Sequence, residues 1–82
     1  MQLTEHDEGD YRIYATALDD QGGYVAAVVI DRMRGRGVPP REAFRDESLA
    51  GGYCWPSAQA ALRYAMGKGH ELIHARPERL AC

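Results

Sequence analysis

The chain has 82 residues, one domain at most, and at that size it buries only about 60–65% of its unfolded surface, so its core is thin. Apolar and charged contents of 45% and 27% exclude a wholly disordered chain. The net charge of −2 argues against a strongly basic nucleic-acid module, although residues 1–31 hold seven acids and one base and residues 32–82 nine bases and five acids. The simplest reading of that asymmetry is that the halves neutralise each other in the fold.

In chain order, residues 1–10 are acidic, lack the apolar stretch of a secretory leader and read as a flexible tail. From Tyr11 a period of two begins: Tyr11, Ile13, Ala15 and Ala17 alternate with Arg12, Tyr14, Thr16 and Leu18, which predicts a strand. Asp19-Asp20-Gln21-Gly22-Gly23 is a reversal, since Asp and Gly supply the backbone angles of a tight turn. Residues 24–30 then form the second arm of a hairpin. This arm is apolar on both faces, with Tyr24, Ala26, Val28 and Ile30 on one and Val25, Ala27 and Val29 on the other. One-sided antiparallel strands alternate instead. At seven residues it is too short to cross a bilayer, so no membrane association is expected and the default compartment is the cytoplasm.

Residues 31–40 carry Gly35, Gly37, Pro39 and Pro40 and read as a loop. Residues 41–48 predict a polar edge strand anchored by Ala43, though the same residues suit a short helix. Gly51-Gly52 is a second break. Pro56 and Ser57 open a helix as first-turn residue and cap. Its apolar stripe is Ala58, Ala61, Leu62, Ala65 and Met66. Gly67 or Gly69 is expected to end it. Residues 71–76, with Leu72 and Ile73, predict a short last strand stopped by Pro77, and residues 77–82 a tail. The expected class is α+β, a three-stranded antiparallel sheet followed by one C-terminal helix and a short last strand (β-β-β-α-β), with a single domain over residues 11–76.

Candidate sites are few. Cys54 needs a neighbouring base to act as a nucleophile, and no motif supplies one. Cys54 and Cys82 do not form the dense pattern of a secreted disulfide scaffold. His70 and His74, placed on a strand, would stand about 13 Å apart and share no metal ion. The acid pairs Asp19-Asp20 and Asp46-Glu47 fall in a turn and on an edge, where solvated carboxylates make poor catalysts. Catalytic, metal and cofactor sites are thus expected to be none, and the chain is read as not an enzyme. Arg32, Arg34, Arg36 and Arg41 form a cluster suited to anions on a glycine-bearing loop, with Arg45 close by in the chain. Tyr53 and Trp55 would add stacking surfaces to such a site.

A pattern runs through Tyr11-x-Ile13, Gly22-Gly23-Tyr24-x-Ala26-x-Val28-x-Ile30, Phe44, Trp55, the helix alanines Ala58, Ala61 and Ala65, and Gly69-x-x-x-Ile73. Over residues 11–76 it resembles a group of small uncharacterised β-proteobacterial proteins classed as domains of unknown function. That resemblance implies the β-β-β-α order and no activity. A weaker likeness is to the double-stranded-RNA-binding domain, which also sets three antiparallel strands before a helix. This chain lacks that domain's N-terminal helix and the lysine cluster at the start of its last helix.

The functional expectation is a non-enzymatic interaction module binding another protein or itself, with Val25, Ala27 and Val29 as the interaction face. The alternative is nucleic-acid or anionic-ligand binding through the arginine-rich segment 32–45.

Overall fold

The structure is a computed structural model that describes residues 2–75. Five strands and two helical segments follow one another: β1 (Gln2–Glu8), β2 (Tyr11–Asp20), β3 (Gly23–Arg32), β4 (Arg41–Asp46), α1 (Leu49–Gly52), β5 (Cys54–Trp55) and α2 (Ala58–Ala75). The sheet is an antiparallel meander in the order β1-β2-β3-β4, with β5 joining β3 beyond the end of β4. No helix among the described residues is long and apolar enough to cross a membrane.

The α+β class and the three expected strands are present as β2, β3 and β4. The hairpin turns through Gln21 and Gly22, both at positive φ, between the paired residues Asp20 and Gly23. Two successive left-handed residues match the twist of the strands they join. The third strand follows the polar reading of residues 41–48, with a register shift opposite Ile30 and Asp31.

Three expectations are corrected. Residues 2–8, within the segment read as a tail, form the edge strand β1, paired residue for residue with β2 from Gln2↔Ala17 to Glu8↔Tyr11. Backbone pairing holds this strand in place, since its side chains are almost all exposed. A further short strand, β5, adds Tyr24↔Trp55 and Val25↔Cys54. Finally, residues 71–75 continue α2 and form no last strand. Ser57 caps the helix as expected, its Oγ accepting the Ala60 N–H at 3.2 Å. Neither Gly67 nor Gly69 ends it. Residue 76 and the segment 77–82, with Cys82, lie outside the described residues.

The helix runs past Gly69 because that glycine fits the packing. A Cβ placed there would come within 2.6 Å of Ile13 Cγ2, so only glycine lets α2 approach β2 this closely. The core lies between α2 and one sheet face. Ile13, Ala15 and Ala17 of β2 meet Ala26, Val28 and Ile30 of β3, and Ala58, Ala61, Ala65 and Ile73 of α2 close over them. Its largest fully buried side chains are only Ile13, Ile30 and Val28. The alanine stripe lets the helix sit low on the sheet, and Leu49 in α1 fills the remaining side.

Candidate functional site

On a strand, residues two apart share a face, and on a helix residues four apart do. His6 and Glu8 therefore project together from β1, and His70 and His74 together from α2. Register finishes the arrangement. His6 pairs with Ile13, the residue against which Gly69 is packed, so the helix descends beside this part of the edge strand. All three histidines of the chain converge on one carboxylate.

Glu8 sits at the centre. Its Oε2 is 2.7 Å from His74 Nε2. Its Oε1 is 3.1 Å from His6 Nε2 and 3.5 Å from His70 Nδ1. The His6 and His70 rings lie 5.0 Å apart, and the His70 and His74 rings stack nearly parallel at 6.3 Å. Hydrogen bonding to His74, and then to His6, holds the Glu8 carboxyl below its ordinary range, with partial desolvation opposing. Donor atoms of His6, Glu8 and His70 all lie within 4.8 Å of one another. These are the residue types and spacing that ligate a borderline cation. A shallow hollow lined by Thr4, Leu62, Arg63, Met66 and Gly67 opens between the same two elements.

The sequence reading missed this cluster by treating residues 70–74 as a strand and setting the two imidazoles about 13 Å apart. The signal that could have found it was Leu72 and Ile73, which continue the helical apolar stripe beyond Gly69.

The expected interaction face occupies the side of the sheet away from α2. Cross-strand pairs place Tyr14 with Val29, Thr16 with Ala27 and Leu18 with Val25 on that side. Val25 and Ala27 are buried, at 9% and 5% exposure, and Val29 is half-buried. Val25 and Ala27 therefore form the floor of the face. What the face shows to solvent comes from the half-buried Tyr14, Leu18 and Val29, and from Leu3 on β1, which is 59% exposed. One end is rimmed by ion pairs: Arg12 to Asp7 at 2.6 Å, and Arg45 to Glu42 and Glu47 at 2.8 and 2.7 Å.

The arginines divide. Arg32 and Arg41 are cross-strand neighbours at the end of the sheet, and Arg34 and Arg36 are exposed on the loop that follows Arg32. Arg45 is committed to its two glutamates. Asp10, Arg32, Met33, Arg34 and Gly35 line a polar hollow there. Tyr53 packs edge-on against Trp55, which in turn lies against Tyr64 of α2.

Cys54 lies at the hairpin end, where its thiol faces Asp20 Oδ2 at 3.6 Å. Partial desolvation first, and then the Asp20 charge, push this thiol above its ordinary range. Asp20 is seven residues along β2 from Ile13, the partner of His6, a span of roughly 23 Å. The thiol and the imidazoles therefore belong to opposite ends of the sheet and form no nucleophile–base pair.

Comparison with protein-family models, curated proteins and solved structures finds no match to this chain.

Proposed function

We propose that this protein is a non-enzymatic interaction module whose sheet face away from α2 pairs with a second copy of itself. The observation that carries the reading is the one-sided cover of the sheet. Packing between α2 and the sheet uses the face of Ile13, Ala15, Ala26 and Val28, while Tyr14, Leu18 and Val29 lie on the other face and take no part in that core.

Three further features favour a second copy as the occupant. A core made largely of alanine buries little area for each residue ordered, and association is a usual remedy in a domain this small. Strands of 7, 10, 10 and 6 residues, at about 3.3 Å per residue and about 4.8 Å apart, give a face of roughly 500 Å², the scale of a weak association beside the roughly 800 Å² per partner of a standard interface. The rim also carries both signs of charge, paired within the chain, so little net charge there opposes a second copy.

The test is sedimentation equilibrium of the full chain from about 10 µM to 1 mM. The expected result is a concentration-dependent dimer that Val29→Glu abolishes and that Leu3→Lys, an exposed substitution that spares the core, weakens. A strict monomer throughout, in a chain with native circular dichroism, overturns the reading.

A second reading is favoured by the exposed Arg34 and Arg36 on a glycine-bearing loop, beside the polar hollow lined by Asp10, Arg32, Met33, Arg34 and Gly35. It is anion or nucleic-acid binding through Arg32, Arg34, Arg36 and Arg41. Its signature is affinity that falls steeply with salt and with Arg34→Ala/Arg36→Ala. No binding at low salt ends it.

A further inference from the structure

We propose that His6 Nε2, Glu8 Oε1 and His70 Nδ1 form a binding site for a borderline divalent transition cation of the Zn²⁺ type, with His74 positioning the carboxylate. The site joins the edge strand to the helix and is separate from the sheet face discussed above.

Two imidazole nitrogens and one carboxylate oxygen suit Zn²⁺ and its neighbours, whereas Mg²⁺ and Ca²⁺ prefer oxygen throughout. Glu8 already presents its two oxygens to different tasks. Oε2 is held by His74 at 2.7 Å, which leaves Oε1 turned to His6 and His70 at 3.1 and 3.5 Å. An outer residue that fixes the orientation of a ligating group is a regular feature of metal sites. Ligand atoms around Zn²⁺, each about 2.0–2.2 Å from the ion, stand roughly 3.3–3.6 Å from one another. The three donor atoms here lie within 4.8 Å, so rotation of side chains that are partly exposed is enough to close the site. The same exposure leaves room for water to complete the coordination sphere.

The backbone supports the arrangement from both sides. His6 and Glu8 are fixed by the ladder of β1 on β2, and His70 by the close approach at Gly69. A bound ion would tie the edge strand to α2, two elements with few other mutual contacts. Binding to the folded state alone raises its stability.

The experiment is calorimetric titration of the full-length Cys54→Ser/Cys82→Ser chain with Zn²⁺, with Mg²⁺ as the control. The expected result is one saturable equivalent of Zn²⁺, no response to Mg²⁺ and a raised thermal midpoint with Zn²⁺. His6→Ala or His70→Ala weakens binding roughly a hundredfold, and His74→Ala about tenfold. In the chain with all its histidines, imidazole proton resonances shift on Zn²⁺ addition for His6, His70 and His74. This readout holds even if one variant fails to fold. Absence of saturable binding up to about 1 mM Zn²⁺ overturns the proposal. Binding that survives both His6→Ala and His70→Ala, or resonance changes away from these histidines, does the same.

Discussion

Gly69 lies so close to Ile13 that a single added carbon would come within 2.6 Å of the isoleucine Cγ2. Gly67, two residues earlier on the same helix, has nothing from the rest of the described residues within 4 Å of the equivalent position. The same substitution is therefore expected to act with opposite sign at the two sites. Gly69→Ala forces a fully buried side chain to move and should cost about 1–3 kcal/mol in urea unfolding, in spite of alanine's better helix propensity. Gly67→Ala should gain roughly 0.5–1 kcal/mol. Equal effects at the two positions would contradict the packing of α2 on β2.

Trp55 makes a second pair of opposed expectations. Its ring lies 5.0 Å from Tyr64 and 4.8 Å from Tyr53, but its buried Nε1 has no hydrogen-bond partner among the described residues. Trp55→Phe keeps most of the ring contact and removes an unsatisfied donor, so its cost should stay within about 1 kcal/mol. Trp55→Ala loses the contact itself and should cost about 3 kcal/mol or more. Chemical denaturation followed by circular dichroism distinguishes the two.

The Cys54 thiol should react sluggishly with an aromatic disulfide reagent at pH 8, because partial desolvation and the nearby Asp20 carboxylate both disfavour its thiolate. In a Cys82→Ser background, Asp20→Asn removes the charge and should speed the reaction roughly two- to fivefold. An unchanged rate would mean that the thiol does not face Asp20 in solution.

Glu42 titrates below its ordinary range, chiefly because Arg45 hydrogen-bonds to it. A carboxyl whose folded pKa is depressed stabilises the fold above its unfolded pKa, and that contribution is lost as pH falls through the folded value. Arg45→Gln should raise the Glu42 midpoint, read by carbon-detected NMR titration. The thermal midpoints of the two proteins should differ at neutral pH and draw together below the glutamate range. Both residues are exposed, so the difference will be small and will shrink in high salt.

The hairpin, the polar third strand and the cap at Ser57 were legible because each is written locally, in a period of two, a pair of glycines or a hydroxyl before an alanine-rich stripe. The edge strand was not. Residues 2–8 carry no apolar face, and their strand conformation comes from hydrogen bonds to a neighbour that local sequence does not name. Gly69 misled for a related reason. Read alone, a glycine near a helical stripe is a terminator, yet here it serves a contact with a residue fifty-six positions away. That single misreading converted four-residue spacing on a helix into four-residue spacing on a strand and hid the convergence of His6, His70 and His74 on Glu8. On the far side of the sheet Val25, Ala27 and Val29 do share one face, but the burial of Val25 and Ala27 depends on neighbours such as Leu18 and Thr16 that strand pairing sets opposite them.

The alanine lining has a consequence for how this protein tolerates change. Ala15, Ala17, Ala26, Ala61 and Ala65 are each fully enclosed, so trimming has little left to remove, while any extra methylene must pry the helix off the strands. In a saturation-mutagenesis library selected for folding, the harshest purging should fall on these smallest side chains, and enlargement should be rejected more often than truncation. Evolution of such a chain is free on its rims and narrow at its methyl groups.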